Sequence, residues 1–273
     1  MDIRPVLFID SGIGGIPYCM DFLKKNPHEA VYYLADNKNF PYGPREKKEL
    51  TAILIELAEK LIKKIDPKII VLACNTATIA ALSALRENFP QIPFVGTVPA
   101  VKPAALACNN GKVGVLGTER TIEEIRGLNL ADETCEIYGI AAPELVEFIE
   151  LRFDTCKKSE KTDTVKKYIE QFRLAKVDTL VLGCTHFLFL LEEFHKEAKP
   201  CFEVFDSLAG ITKRIESLLD ENNRALRTEK DACPVRKFIL TSNGISNGIT
   251  NGISSWQNRA KKFGFNLLFL DEL

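Results

Sequence analysis

The segment KIIVLACNTATIAALSALREN (68–88) contains a strand, a turn and a helix in immediate succession. Its first part, KIIVLA, is an apolar run typical of a strand buried on both faces of a parallel sheet. The run stops at Cys74, and TATIAALSALREN then has the residue spacing of a helix. TLVLGC (179–184) stops at a cysteine in the same way, at Cys184, 110 positions later. The chain therefore builds the same strand-end cysteine twice.

The alternation of strands and helices continues on both sides of this segment. Further apolar strands are predicted at 5–10, 30–36, 111–118 and 237–241. Helical spacing is found from about Ile16, over 45–64, 144–153 and 162–175, and from about Trp256. Because uniformly apolar strands alternate with helices, we predict an α/β fold whose mainly parallel sheets are covered by helices.

An internal repeat divides this alternation into two similar α/β lobes. Val113 lies 107 positions after Val6, close to the 110-position offset between the two cysteines. We therefore predict one lobe at 1–98 and a second at 99–206, with 207–273 returning to the first. We expect a pseudo-two-fold relation between the lobes and an active site in the cleft between them, since open α/β sheets bind ligands outside the carboxyl ends of their strands.

The composition indicates an ordinary globular protein and excludes several classes of partner. Hydrophobic residues make up 46% of the 273 residues, charged residues make up 27%, and the net charge is -1. This balance gives no bulk attraction for nucleic acid or for an anionic membrane. No apolar run approaches the ~18 residues that span a bilayer, and the N-terminal segment does not resemble a signal peptide. We expect a cytoplasmic protein that binds neither nucleic acid nor membrane.

The eight cysteines are expected to be reduced thiols, because the chain is long and shows no export signal. No C-x-x-C pair occurs, and the chain has only three histidines, so we expect no metal site. Most free cysteines in proteins act as small buried hydrophobes. We adopt that interpretation for six of them: Cys19, Cys108, Cys135, Cys156, Cys201 and Cys233.

Cys74 and Cys184 differ from the other cysteines. Each ends a strand and precedes a potential helix N-terminus, where the macrodipole favours a thiolate. Each also has a candidate charged helper, Asp10 after the first strand and His186 beside Cys184. Taken alone, Asp10 could be a helix cap and His186 a structural histidine. The repeated pairing of a thiol with a charged helper favours catalysis.

Three turns have both a structural and a functional interpretation. FPYGPRE (40–46) is either a tight turn before a helix or a site where the backbone N–H groups of Tyr42 and Gly43 bind a carboxylate, and its spacing does not decide between them. SGIGG (11–15) lacks the full spacing of a dinucleotide loop and the lysine of a P-loop, so we predict no nucleotide site. SNGISNGITNGIS (242–254) is interpreted as an expanded surface loop rather than a mobile lid.

Five ordered motifs make the chain similar to a known family. FIDSGIGG, ADNKNFPYG, ACNTAT, VPAVKPA and GCTHF resemble the bacterial glutamate racemases, which belong to the cofactor-independent amino-acid racemases. The match extends from about Val6 to Ser207, which is most of the chain. The departures are Ala142 where the family commonly has a cysteine, Leu188 where it usually has a proline, and the Asn-Gly-Ile repeat.

The resemblance implies a role for each motif residue. Cys74 and Cys184 correspond to the two catalytic thiols, Asp10 and His186 assist them, and Glu150 corresponds to an acidic residue that orients the histidine. The resemblance implies no cofactor and no metal, with glutamate as the small-molecule substrate. It implies substrate-binding roles for Asp10, Ser11, Tyr42, Gly43, Asn75, Thr76, Thr118, Thr185 and His186.

Racemisation gives a chemical reason for two thiols. The reaction removes the Cα proton from one face and returns a proton to the other, which one base on each face accomplishes. The predicted enzyme is an isomerase that supplies D-glutamate for peptidoglycan, and so for cell-wall biogenesis and cell shape. Two alternatives stay open: a racemase of aspartate or another acidic amino acid, and a non-catalytic ligand-binding protein on the same scaffold. The sequence also leaves monomer and homodimer open.

Overall fold

The structure is a computed structural model that describes residues 2–127, 135–224, 226–228, 234–243 and 252–273. The chain divides into two compact units. The first unit combines Met1–Thr97 with Leu208–Leu273, and the second is Val98–Ser207. The polypeptide therefore leaves the first unit once, builds the second without interruption, and returns.

Strands and helices alternate along the described chain. The strands are β1 (Val6–Asp10), β2 (Val31–Ala35), β3 (Ile69–Leu72), β4 (Phe94–Gly96), β5 (Lys112–Gly117), β6 (Glu136–Ala141), β7 (Thr179–Leu182), β8 (Glu203–Phe205), β9 (Arg236–Leu240) and β10 (Asn266–Phe269). The α-helices are α1 (Ile16–Lys25), α2 (Lys47–Ile65), α3 (Asn75–Asn88), α4 (Val101–Ala107), α5 (Glu119–Gly127), α6 (Pro143–Leu151), α7 (Lys158–Leu174), α8 (Leu191–Ala198), α9 (Leu208–Arg224) and α10 (Ile253–Lys262). Two short 3₁₀ helices cover Thr185–Leu190 and Leu270–Glu272.

Among the described residues, each unit contains one sheet, and every strand pair in both sheets is parallel. The described strands of the first sheet follow the order β10-β9-β2-β1-β3-β4, and those of the second follow β6-β5-β7-β8. The second order repeats β2-β1-β3-β4 strand for strand. The prediction of two similar α/β lobes with mainly parallel sheets is therefore confirmed.

Burial explains why these segments form strands and helices. All residues of β1 and β3 are buried, as expected for central strands with helices on both faces. Helix α2 buries Leu50, Leu54, Leu57 and Leu61, which recur every three or four residues and so form one apolar stripe. This stripe packs into a core with the apolar side chains of β1, β3 and α3. Removing one such leucine side chain typically costs about 2–5 kcal/mol of stability.

Several short elements were absent from the sequence prediction. Strands β4 and β8 have only three residues each, too few for a periodic signal. Strands β6 and β10 lie at sheet edges and mix exposed with partly buried residues, so neither is a continuous apolar run. Helix α4, with seven residues, was missed for the same reason of length.

The interpretation of the six remaining cysteines was only partly right. Cys19 is fully buried in α1, as predicted. Cys201 is exposed, because it lies in the turn between α8 and β8 rather than on a core-facing element, so the prediction for this residue was wrong. Three others are partly buried: Cys108, Cys135 and Cys156. Cys233 and most of the Asn-Gly-Ile repeat (244–251) lie outside the described residues.

Across the described ranges, no helix has both the length and the apolar character needed to cross a membrane.

Candidate active site

In the first unit, the carboxyl ends of β1, β2 and β3 meet at one edge of the sheet. The strands are held in register there: the N–H of Ala73 donates to the carbonyl of Ile9 at 2.8 Å, and the N–H of Asp36 donates to the carbonyl of Asp10, also at 2.8 Å. Asp10, the last residue of β1, is thereby placed beside the end of β3, where Cys74 follows.

The Asp10 carboxylate is buried and is oriented by the turn that follows it. Its Oδ1 accepts hydrogen bonds from the Ser11 hydroxyl at 3.2 Å and from the Gly12 N–H at 3.1 Å. Ser11 is also buried. Because two donors of the same turn converge on one oxygen, the local backbone fixes the direction of this carboxylate.

Cys74 is the residue immediately before α3, a helix of 14 residues. Its side chain is buried, with 9% exposure, and Asn75 and Thr76 occupy the buried first turn of the helix. The unpaired N–H groups and the dipole of a helix N-terminus favour negative charge at this position. The environment therefore suits both a thiolate and a bound carboxylate.

The loop between β2 and α2 places Tyr42 close to Cys74 and Asp10. The Tyr42 hydroxyl donates to Asp36 Oδ2 at 2.8 Å. Burial raises the pKa of Tyr42 well above its ordinary value, and the negative charges of Asp36, Cys74 and Asp10 act in the same direction. The phenol therefore remains protonated as a donor. Gly43, the next residue, is partly exposed.

In the second unit, the carboxyl ends of β5 and β7 form the corresponding edge. The N–H of Gly183 donates to the carbonyl of Leu116 at 2.7 Å, which aligns the end of β7 with β5. Cys184 follows and is buried, and Thr185 begins the 3₁₀ helix. Thr118, after β5, is partly buried and forms a 3.0 Å hydroxyl–hydroxyl hydrogen bond with Thr121.

A buried chain of three side chains starts at the Cys184 sulfur. His186 Nδ1 lies 3.8 Å from Cys184 Sγ, and His186 Nε2 lies 2.8 Å from Glu150 Oε1. Glu150 comes from α6, and its exposure is 1%. The sequence resemblance implied this contact between Glu150 and His186, and the structure brings the two side chains together.

Burial and charge act on His186 in opposite directions. Burial alone would lower its pKa, but the hydrogen bonds to Cys184 and Glu150, together with the negative charge of both groups, raise the pKa well above its ordinary value. As an imidazolium, His186 donates from both ring nitrogens, to the sulfur and to the carboxylate. The arrangement therefore places a positive charge beside Cys184.

The predicted residues thus lie in two groups, one in each unit. The first-unit group contains Asp10, Ser11, Tyr42, Gly43, Cys74, Asn75 and Thr76, and the second-unit group contains Thr118, Glu150, Cys184, Thr185 and His186. Asp36, whose carboxylate accepts a hydrogen bond from the Tyr42 hydroxyl, was not among the predicted residues. Asp36 directly follows β2, so the rule that identified Asp10 would have found it.

Comparison with known proteins assigns the chain to a family. A family model described as Asp/Glu/Hydantoin racemase matches residues 22–212. The match covers more than half of the chain and includes Cys74 and Cys184. The chain belongs to the Asp/Glu/Hydantoin racemase family. The predicted enzyme class, an amino-acid racemase and therefore an isomerase, is confirmed by this membership.

Individual relatives of this racemase are similar over nearly their whole length. The glutamate racemase of Corynebacterium diphtheriae is 33% identical over 248 residues, which cover 90% of this chain and 91% of the relative. The glutamate racemase of Bartonella tribocorum is 32% identical, with 98% and 96% coverage.

Solved structures agree with the fold of this racemase. The crystal structure of Escherichia coli glutamate racemase, in complex with L-glutamate and the activator UDP-MurNAc-Ala, matches with a TM-score of 0.81 and 29% identity, covering 97% of both chains. The RacE1 isoform of glutamate racemase from Bacillus anthracis matches with a TM-score of 0.77 and 27% identity, covering 98% of this chain and 97% of the other.

The described part of the racemase contains no group of three or more His, Cys, Asp or Glu side chains arranged to hold a metal ion. The two groups offer a buried thiol with a carboxylate and a phenol in the first unit, and a buried thiol with a histidine–glutamate pair in the second.

Proposed function

We propose that this protein is a glutamate racemase that interconverts L-glutamate and D-glutamate by proton transfer at Cα. The observation that carries the proposal is the buried thiol at the same topological position of each unit, after β3 and after β7, with charged helpers beside it. The similarity to curated glutamate racemases over most of the chain supports glutamate as the substrate.

In the proposed mechanism, each thiol serves one face of the substrate. The thiolate of Cys184 removes the Cα proton of L-glutamate, and the C–H electron pair remains on the substrate as a carbanion. The thiol of Cys74 then donates its proton to the opposite face, which gives D-glutamate and a Cys74 thiolate. The reverse reaction uses the same groups with exchanged roles, because a reversible reaction follows one path in both directions.

His186 and Glu150 support the second-unit thiol in this scheme. Imidazolium next to Cys184 stabilises a negative sulfur by charge and by hydrogen bonding. Glu150 holds the imidazole in its orientation and stabilises its protonated form. We assign the corresponding supporting role for Cys74 to Asp10, whose buried carboxylate is fixed by the turn after β1.

We propose that the two substrate carboxylates are bound without any lysine or arginine, mainly by neutral donors. The residues assigned to substrate binding include no lysine or arginine, and a further fixed cation beside either thiolate would lower the thiol pKa and make the thiolate a weaker base. Backbone N–H groups of the loop at Tyr42 and Gly43 and of the α3 N-terminus are suited to carboxylates. The side-chain donors in the proposal are Ser11, Asn75, Thr76, Thr118 and Thr185, with His186 also in contact with the substrate.

The cellular role follows from the product. We propose that the enzyme works in the cytoplasm, requires neither a metal nor an organic cofactor, and supplies D-glutamate for peptidoglycan synthesis. A homodimer is one assembly consistent with this role. The alternatives are racemisation of aspartate and ligand binding without turnover, and no contact in the described residues favours either of them over glutamate.

The test is an assay of purified protein with L-glutamate and, separately, L-aspartate, without any added cofactor. We expect loss of optical rotation with L-glutamate and formation of D-glutamate, unaffected by a chelator. Saturable binding without turnover would instead identify a binding protein, and faster reaction with L-aspartate would reassign the substrate. Restoration of a lost activity by a metal or by pyridoxal phosphate would contradict the cofactor-independent scheme.

Single cysteine variants test the assignment of the two thiols. Cys74→Ala and Cys184→Ala are each expected to lower kcat by at least about 10²–10⁴-fold, the usual contribution of a general acid or base. Cys201→Ala is the matched control, because Cys201 is an exposed thiol in a turn and should leave kcat unchanged. Near-parental racemisation by Cys184→Ala would contradict the assignment.

A further inference from the structure

The SGIGG turn (11–15) connects β1 to α1, and it rests on a tyrosine of the neighbouring strand. Tyr33 is a residue of β2 and is fully buried. Its ring packs against Phe238 of β9 with 5.1 Å between ring centroids. The ring is therefore anchored in the sheet, while its hydroxyl reaches the turn.

The Tyr33 hydroxyl makes hydrogen bonds to both ends of this turn. It donates to the carbonyl of Gly12 at 2.8 Å and accepts from the N–H of Gly15 at 3.1 Å. All three residues involved in these bonds are buried, so the bonds are shielded from competition by water. One hydroxyl thus fixes the separation of Gly12 from Gly15.

Gly12 connects the Tyr33 hydroxyl to the Asp10 carboxylate through two hydrogen bonds. While the Gly12 carbonyl accepts from Tyr33, the Gly12 N–H donates to Asp10 Oδ1 at 3.1 Å. The orientation of one glycine therefore sets both bonds. A rotation of the turn away from Tyr33 would withdraw a donor from the Asp10 carboxylate.

Gly15 packs closely against Ala73, the residue before Cys74. A Cβ atom at Gly15 would lie 2.5 Å from the Ala73 Cβ and 3.0 Å from the Ala73 carbonyl oxygen. The turn therefore packs against the end of β3 so closely that position 15 has no room for a side chain. Because Ala73 directly precedes Cys74, the position of Gly15 limits where the thiol can move.

We propose that Tyr33 is a positioning residue for the proton transfer at Cys74. Its hydroxyl holds the SGIGG turn so that Asp10 and Cys74 keep their productive places, and Tyr33 itself does not touch the substrate. The proposal rests on the proposed function, since it assigns Cys74 as one of two bases. The competing interpretation is that the hydroxyl contributes only to stability, as a satisfied polar group in the core.

Tyr33→Phe removes the hydroxyl and leaves the ring. Because displacements of about 1 Å can cost about 100-fold in rate, we expect kcat/KM for glutamate to fall by about 10- to 100-fold. Tyr32→Phe is the matched control: Tyr32 is the adjacent residue of the same strand, partly buried, and should keep the parental rate. Phe265→Leu loosens the packing around Phe238 without touching the hydroxyl and controls for lost stability.

Deuterium at Cα separates positioning from a loss of stability. When D-glutamate deuterated at Cα is the substrate, Cys74 breaks the labelled bond in the proposed mechanism. Slowing of that step in Tyr33→Phe should therefore increase the deuterium isotope effect on kcat/KM. When L-glutamate deuterated at Cα is the substrate, Cys184 breaks the labelled bond. The isotope effect on kcat/KM should then decrease, because the slowed step is the later proton delivery by Cys74. A variant that is only less stable, such as Phe265→Leu, should show parental isotope effects in both directions.

Amide hydrogen exchange of residues 11–15 gives a readout that does not depend on turnover. We expect faster exchange of this turn in Tyr33→Phe than in Tyr32→Phe, because two hydrogen bonds that close it are lost. If Tyr33→Phe does not fold, Gly15→Ala displaces the turn while keeping the hydroxyl and should produce the same opposed isotope effects.

The outcomes distinguish this inference from the proposed function. If the parental protein does not racemise glutamate, the proposed function is wrong, and with it the role assigned to Tyr33. If the parental protein is active, either of two results overturns the inference alone: kcat/KM of Tyr33→Phe within about twofold of the parental value, or isotope effects that remain parental. Amide exchange of residues 11–15 that is unchanged in Tyr33→Phe would contradict the claim that the Tyr33 hydroxyl holds this turn in place.

Discussion

At the scale of single residues, His186 shows how a buried site sets the charge of its own groups. Burial alone favours the neutral imidazole, yet the contacts to Cys184 and Glu150 outweigh it and raise the pKa well above the ordinary value. Because the pKa of His186 is higher in the folded than in the unfolded protein, protonation of His186 stabilises the fold. The stabilisation is complete at pH values below the unfolded-state pKa of about 6.5, and it is lost as the pH rises through the folded-state pKa. Between these two pKa values, stability therefore declines with rising pH.

Glu150→Gln should lower the pKa of His186, because the amide keeps a hydrogen-bond acceptor but removes the negative charge. The alkaline limb of the kcat profile and the alkaline decline in stability should both move to lower pH. Imidazole NMR titration of the variant and the parental protein measures the shift of the His186 pKa directly. Glu147→Gln, an exposed change in the same helix, should have no effect, and an unchanged His186 pKa in Glu150→Gln would contradict this account.

At the scale of elements, the end of β9 fixes the loop between β2 and α2. The buried Asp36 carboxylate accepts hydrogen bonds from Tyr42, from Asn39 at 2.9 Å and from the Thr241 hydroxyl at 2.7 Å. Asn37 adds two bonds to the Ser242 backbone, one donated at 2.8 Å and one accepted at 3.0 Å. The returning part of the chain therefore shapes the loop that carries Tyr42.

Thr241→Val keeps the side-chain shape but removes a hydroxyl donor from Asp36. A hydrogen bond to a charged group contributes about 1.5–3 kcal/mol, so we expect the free energy of unfolding to fall by about that amount. KM for glutamate should rise more than kcat falls, because the loop at Tyr42 is assigned to substrate binding. The measurements are urea unfolding and steady-state kinetics.

Thr164→Val is the control for this prediction. Its hydroxyl donates to the Glu160 carbonyl within α7 at 2.8 Å, so the acceptor is neutral and local. The expected cost is at most about 1 kcal/mol, with parental KM. Equal losses of stability in the two variants, with unchanged KM in Thr241→Val, would show that β9 does not shape the loop.

The sequence predicted those elements whose signal is local. Strands β1, β3, β5 and β7 are buried apolar runs, and the parallel pairing of the strands followed from their alternation with helices. The contacts of Tyr33 and Asp36 could not be predicted in this way, because their partners lie on other elements: Thr241 is 205 positions from Asp36. Glu150 entered only through family resemblance, since an acidic residue in an amphipathic helix has no distinguishing local pattern.

At the scale of the whole molecule, a buried ion pair joins three distant parts of the chain. The Lys68 ammonium donates to Glu29 at 2.6 Å, to the Asp2 carbonyl at 3.1 Å and to the Thr228 hydroxyl at 2.9 Å. The side-chain exposure of Lys68 is 0% and that of Glu29 is 4%. The start of the chain and the segment after α9 are thereby attached to the amino-terminal side of the first sheet.

Lys68→Met should destabilise the protein by about 3–5 kcal/mol, because it leaves the Glu29 carboxylate buried without its cation. Adding Glu29→Gln should recover part of this loss, since the uncompensated charge is then removed. Lys60→Met is the control, because Lys60 pairs with Glu56 on the exposed face of α2, where water screens the two charges and loss of the pair should hardly change stability. Thermal unfolding compares the variants, and equal shifts for Lys68→Met and Lys60→Met would contradict the anchoring role.

The central claim, one thiol for each face of the substrate, is tested most directly by the position of deuterium in newly formed product. L-glutamate is incubated with the enzyme in heavy water, and the reaction is stopped while reversal is negligible. In the proposed mechanism, Cys184 removes the Cα proton, and Cys74, already exchanged with solvent, delivers deuterium to the other face. The account predicts D-glutamate deuterated at Cα and remaining L-glutamate almost unlabelled by mass spectrometry. Mostly protonated D-glutamate, or early deuterium in the L-glutamate pool, would contradict it.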